Sequence, residues 1–215
     1  IICEEKLILQ DKAKKFFKNK LKNKFKFNKN INRIKKINKK FQIDNDEYDY
    51  VVDCTGFQLD ANKKNKIIHE YCVIFLYKYK TPKKHPAITI MDGPFFTLYP
   101  WDEKNNFGLY SVVDSRLLRD KKFENLKKRS LKINKTYLKK IRSKTENKFS
   151  IYYPGFKKNF KFSKYLLSYR VISENKNDSR ICEVINKNNL ISVLPGKIDH
   201  IFYAYEKIKK CLKIY

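Results

Sequence analysis

Residues 189–212 read NLISVLPGKIDHIFYAYEKIKKCL, a buried strand, a glycine turn and an amphipathic helix in succession. The run LISVL is strand-like, and Pro195-Gly196 stops it abruptly. From there the apolar period changes: Ile198, Ile201, Phe202, Tyr205, Ile208 and Leu212 fall on one face of a helix. A strand that enters a helix through a glycine directs the first free N–H groups and the positive end of the helix dipole at one point. That arrangement suits an anionic or electron-rich group. It also serves as a plain strand-turn-helix corner, and the stretch taken alone leaves both uses open.

A second glycine corner closes YDYVVDCTGF, a β-branched run ending in Thr55-Gly56, where the missing Cβ lets the backbone approach a neighbour or a ligand. Acid, base and nucleophile pairings are absent from the pattern. His69 and His85 sit at strand or turn edges, His200 falls in the first turn of the last helix, and Asp92 and Asp114 end neighbouring strands with nothing to make them converge. The five cysteines (Cys3, Cys54, Cys72, Cys182, Cys211) are scattered, odd in number and without CxxC spacing, which argues against a zinc site or a disulfide framework. No metal site is expected.

Composition bounds the rest. A chain of 215 residues with 42% hydrophobic content can bury a substantial core, and no apolar run is long enough to cross a bilayer. A soluble, cytoplasmic protein is expected. The net charge of +28 is mostly lysine, joined by heavy use of Asn, Ile, Phe and Tyr. Arginine, the better residue for bidentate phosphate or base recognition, is scarce, so no specific nucleic-acid function is expected, only salt-sensitive attraction to polyanions. The chain opens on IICEEKLILQ, with neither an initiator Met nor a targeting pattern, and reads as a fragment.

The elements that must position these corners follow from pattern. Asp11 can cap a helix with apolar face Ala13, Phe16, Phe17 and Leu21. Strand-like runs cover 25–34, 36–43 and 48–54, then a connector at 62–66 precedes aromatic-rich strands at 71–79, 87–92, 95–101 and 107–114. Residues 122–147 read as one long helix, with Phe123, Leu126, Ser130, Ile133, Tyr137 and Ile141 as its buried stripe. Residues 149–162 look irregular, 165–172 form another strand, and a polar loop, SENKNDSR, leads to a strand at 181–185.

This order of elements, with four local patterns, resembles the glycine oxidase and D-amino-acid oxidase family of FAD-dependent oxidoreductases. The first helix followed by FKFNKNINRI looks like that family's helix and strand ahead of its adenine-contacting segment. YDYVVDCTGF resembles its strand ending in Ala-Thr-Gly, with Cys54 in place of Ala. SYRVISENKNDSRICEVI resembles its Gly-x-Arg-Pro segment, with Ser168 and Val171 replacing Gly and Pro, and LISVLPGKIDHIF resembles the strand, turn and helix that close over the flavin. The family's GxGxxG fingerprint is absent from this sequence.

The resemblance implies an α/β chain of α+β character: a partial Rossmann-like FAD-binding domain at 1–61, a substrate-binding mixed sheet with a long packing helix at 62–164, and a return to the FAD-binding domain at 165–215. It implies FAD as cofactor, a missing N-terminal segment that grips the pyrophosphate, and oxidation of a C–N or C–O bond in a small anionic substrate by hydride transfer. Arg170 would pair with a substrate carboxylate, and Tyr99, Trp101 and Tyr110 would line the substrate wall. Thr55, Gly56, Gly196, Lys197, Ile198 and Asp199 would contact the flavin. A flavin-free basic module that contacts polyanions is the alternative.

Overall fold

The computed structural model describes residues 8–31, 33–56, 67–91, 93, 95–174, 181–194 and 196–214. Cys3, the connector at 62–66, Asp92, Pro94, most of the polar loop after Ser173, and Pro195 lie outside the described residues. The fold is α+β, with three sheets and five α-helices among the described residues, and the chain divides into two compact units.

The first unit takes Glu70–Arg170 with the chain up to Phe25. Its centre is a six-stranded sheet, ordered β10-β5-β8-β7-β6 with β9 also paired to β5. The strands are β5 (Ile67–Tyr79), β6 (Ile88–Ile90), β7 (Phe96–Pro100), β8 (Asn106–Ser111), β9 (Arg116–Asp120) and β10 (Phe160–Ser173). Cross-strand partners share a face, so register sorts the side chains. Phe75 faces Leu109, which faces Leu98, while Tyr77 faces Phe107. These residues, with Val73, Phe96 and Phe160, meet Leu138 and Phe149 from a helix in one core. Burying each such large apolar side chain contributes roughly 1.5–3 kcal/mol.

The helical segment departs from the sequence reading. In place of one helix over 122–147 there are two, α2 (Phe123–Ser130) and α3 (Lys135–Tyr152). The break is chemical: Asn134 takes extended dihedrals and its side chain accepts the Tyr137 N–H at 2.8 Å, an N-cap that starts a new helix. Restarting the helix rotates its buried face. Leu138, Thr145 and Phe149 are buried, and Tyr137, expected inside, is exposed. The stretch 149–162 is ordered too, since α3 runs to Tyr152, α4 (Phe156–Asn159) follows, and β10 begins at Phe160. At the front of the chain, α1 (Gln10–Lys20) has Leu9 at its N-cap, so Asp11 lies inside the first turn and caps nothing. Its Phe16 and Phe17 are exposed.

The second unit takes Lys26–His69 and Val171–Tyr215. Among the described residues of 25–34 the expected strand is not formed; Asn28 sits at φ 59 in a turn. The run 36–43 is a hairpin, not one strand: β1 (Lys35–Ile37) pairs antiparallel with β2 (Lys40–Ile43) around Asn38 at φ 56. Asparagine adopts such dihedrals more readily than most residues, which is why a two-residue turn hides inside a strand-like run. After β3 (Asp46–Tyr48), β4 (Val51–Asp53) pairs in parallel with β12 (Leu190–Leu194), which pairs antiparallel with β11 (Glu183–Lys187). A single 3-10 turn at Ile198–His200 then leads into α5 (Ile201–Leu212).

Candidate functional site

On the six-stranded sheet, the face away from α3 gathers several of the residues singled out by sequence. Thr97 pairs with Tyr110 and Tyr99 with Gly108, while Gly108 also pairs with Leu76, so Tyr99 and Tyr110 share that face. Gly108 makes room for the tyrosine: a Cβ there would stand 3.0 Å from the Tyr99 ring. On β10, Tyr169 packs against Tyr71 and Phe123 of α2, on the helix side. Its neighbour Arg170 therefore points to the other side. The guanidinium carbon lies 5.9 Å from the centre of the Tyr110 ring, a cation–π contact. Trp101, just beyond β7, keeps its ring 6.1 Å from that of Tyr99. Burial, with the neighbouring Tyr110, pushes the Tyr99 hydroxyl up to about 12, so it stays a neutral phenol at ordinary pH.

Arg170 is held by an acid that pattern reading overlooked. Its Nε donates to Glu70 Oε2 at 2.6 Å, and Nη2 is 2.6 Å from the same oxygen. Glu70 is fully buried. Its other oxygen faces Arg119 Nε at 3.3 Å and Arg116 Nη1 at 3.7 Å. Burial works against the charge on Arg170, but Cys72, Tyr110 and Glu70 together outweigh it and raise its pKa. The signal for Glu70 was an acid inside an apolar run, IIHEYCVIFLY, whose strand begins at Ile67, four residues before the expected start at Tyr71.

The glycine corners belong to the second unit. Gly56 is buried at φ 75, and an added Cβ would meet Val171 Cγ1 at 2.4 Å, so the close approach it permits is to a neighbouring side chain. Thr55 is exposed and turns back on β4, its N–H and hydroxyl both donating to Asp53 Oδ1 at 2.8 and 2.6 Å. Asp53 is buried, and its Oδ2 has no hydrogen-bond partner among the described residues. At the closing corner Gly196 is half-buried, and Lys197, Ile198 and Asp199 are exposed. The Lys197 N–H, expected to point outward, is taken by His200 Nδ1 at 3.2 Å. The N–H groups of Ile198 and Asp199 remain in the first turn, where a helix offers no intrahelical acceptor.

Beside this corner lies a largely apolar recess of about 310 Å³, walled by Cys54, Cys182, Val193, Ile201, Ala204, Tyr205 and Ile208, with Lys197 and His200 also in its lining. The thiol of Cys54 is pushed up by burial and then by the charge of Asp53, so it is a poor nucleophile. An apolar recess beside first-turn donors and a lysine suits the ring end of a flavin. The pyrophosphate end would need a glycine-rich cradle that this sequence does not contain. Among the described residues no three His, Cys, Asp or Glu side chains group as metal ligands, and no helix is long and apolar enough to cross a membrane.

No family model matches the chain. The chain is similar to the FAD-dependent monooxygenase FPY4 of Fusarium mangiferae, at 29% identity over 210 residues. The alignment takes in 97% of this chain and 56% of the relative, so the chain spans little more than half the length of the curated protein it matches.

Proposed function

We propose that this chain is part of an FAD-dependent oxidoreductase of the glycine oxidase and D-amino-acid oxidase type, which oxidises a C–N or C–O bond of a small anionic substrate. The observation that carries the flavin part of the reading is the similarity to an FAD-dependent monooxygenase along 97% of the chain and 56% of that relative, while the family and the bond oxidised rest on the motifs quoted from the sequence. FAD, when bound, supplies an acceptor for the hydride that leaves the substrate carbon. Thr55, Gly56, Gly196, Lys197, Ile198 and Asp199 are the residues that would hold it, and a segment bearing the pyrophosphate grip would complete the site.

The chain's own contribution to the chemistry is orientation and electrostatics. Arg170, fixed on one side by Glu70, presents its remaining guanidinium edge to the anionic group of the substrate. Tyr99, Tyr110 and Trp101 form an aromatic wall that excludes water, and the high pKa of Tyr99 keeps its own hydroxyl neutral. The donors at Ile198 and Asp199 favour negative charge at the closing corner. In domain terms, 1–61 and 165–215 form the FAD-binding part and 62–164 the substrate-binding part. The compact unit joining Lys26–His69 to Val171–Tyr215 supports this division, although the chain up to Phe25 groups with the large sheet.

The net charge of +28 favours a second reading, a flavin-free basic module that contacts polyanions. The absorption spectrum of the intact protein purified from cells separates the two. A yellow protein with a flavin spectrum is expected; a colourless protein that takes up no added FAD overturns the oxidoreductase reading.

A further inference from the structure

We propose that Arg116, Arg119 and Arg170, arranged around Glu70, form a subsite for a doubly charged oxyanion, the phosphate monoester end of the substrate. The charge count drives the inference: three guanidinium groups surround one carboxylate, which leaves two positive charges uncompensated. Their layering matters as much. Glu70 is wholly covered, whereas the side chains of Arg116, Arg170 and Arg119 are 29%, 25% and 49% exposed, so the cluster turns a positive surface outward over a hidden acid.

Among the described residues only Arg170 is bound to Glu70 by a hydrogen bond and Glu70 Oε1 is buried without one, while Arg119 and Arg116 stand off from it at 3.3 and 3.7 Å. Two of the three guanidinium forks thus keep their donors for another acceptor. All three guanidinium groups are gathered at the one Glu70 carboxylate, and such planar forks suit the oxygens of a phosphate, which carries a charge near −2 at neutral pH and neutralises the excess that a monocarboxylate only halves. Tyr110, against Arg170, supplies a flat apolar contact for the group that carries the phosphate.

The inference rests on the substrate side of the reading above, and its test is independent of flavin. The intact protein is titrated with inorganic phosphate, acetate and chloride at constant ionic strength, with calorimetry and the thermal midpoint as readouts, and flavin absorbance is recorded on the same samples. Phosphate is expected to saturate at about tenfold lower concentration than acetate. Arg119→Gln, which leaves the Arg170–Glu70 pair in place, is expected to weaken phosphate at least about fivefold, while the exposed Lys128→Gln changes nothing. Should Arg119→Gln fail to fold, Arg116→Gln makes the same comparison. Protection by phosphate no better than by chloride, or unchanged affinity in the arginine variant, overturns the subsite. Phosphate binding by a protein without flavin would instead sink the oxidoreductase reading and leave the subsite standing.

Discussion

Arg170 and Glu70 lie 100 residues apart in sequence and form a tight ion pair on a buried carboxylate in the larger unit, with Nε and Nη2 of the arginine both 2.6 Å from one glutamate oxygen. The pair ties β10 to β5, so the carboxylate is both a structural brace and the group that sets the direction of the guanidinium. Replacing Glu70 by Gln leaves three arginines with no counter-charge. Glu70→Gln is expected to cost about 3 kcal/mol, toward the lower end for breaking a buried pair because the arginines can turn to water. Chemical denaturation of the two proteins measures it; a loss under about 1 kcal/mol would mean that the arginines are already solvated.

Asp114 is buried in the turn between β8 and β9, where Lys148 Nζ donates to both its oxygens at 3.1 and 2.9 Å and Lys144 approaches at 3.0 Å. Burial alone would raise its pKa, but the hydrogen bonds and charges of Lys148 and Lys144 outweigh it and hold the carboxyl below its usual range. A folded pKa lowered in this way gives stability that is complete above the unfolded value, about 3.9, and is lost as pH falls through the folded one. Asp114→Asn is expected to lower the thermal midpoint at pH 7, with the gap to wild type narrowing below about pH 4. A gap that stays constant down to pH 2 would assign the aspartate's contribution to hydrogen bonding alone.

At Gly56 two separable costs meet: φ 75, and Val171 Cγ1 at 2.4 Å from where a Cβ would stand. Gly56→Ala is expected to destabilise by about 1–3 kcal/mol. Val171→Ala in the same chain removes the clash and leaves the dihedral strain, so a double-mutant cycle should show favourable coupling of roughly 1 kcal/mol. Simple additivity would place the whole effect in the backbone.

These relationships differ in how far sequence could reveal them. β12 was legible because its β-branched run is stopped by a Pro-Gly pair, and the Tyr99 and Tyr110 strands because aromatic residues alternate between turn signals. The breaks at Asn38 and Asn134 were not, since a single asparagine within a periodic run changes backbone geometry without changing the hydrophobic pattern. Glu70 was hidden for a different reason. Its partners come from β9 and β10, so its meaning depends on a register that no local window contains. The same holds for the Lys197 N–H, whose capture by His200 depends on a side-chain rotamer.

The sharpest test of the substrate reading separates the two roles of Arg170. Arg170→Leu removes the fork proposed to bind the substrate, and it also strands Glu70 in the interior with only the looser Arg116 and Arg119 to balance it. A loss of activity in that variant alone is therefore ambiguous. Pairing it with Glu70→Gln removes both charges together, and a buried pair replaced as a unit costs far less than one broken from either side. Arg170→Leu/Glu70→Gln is thus expected to recover most of the stability lost in Arg170→Leu. Substrate recognition should not recover, because the guanidinium is still missing: binding of an anionic substrate or inhibitor should remain weaker by about 2–5 kcal/mol, with flavin content unchanged in both variants. Measuring denaturation midpoints, flavin absorbance and KM on the same preparations makes the comparison. If affinity returns together with stability in the double variant, Arg170 serves only as the partner of Glu70, and the substrate anion is held elsewhere.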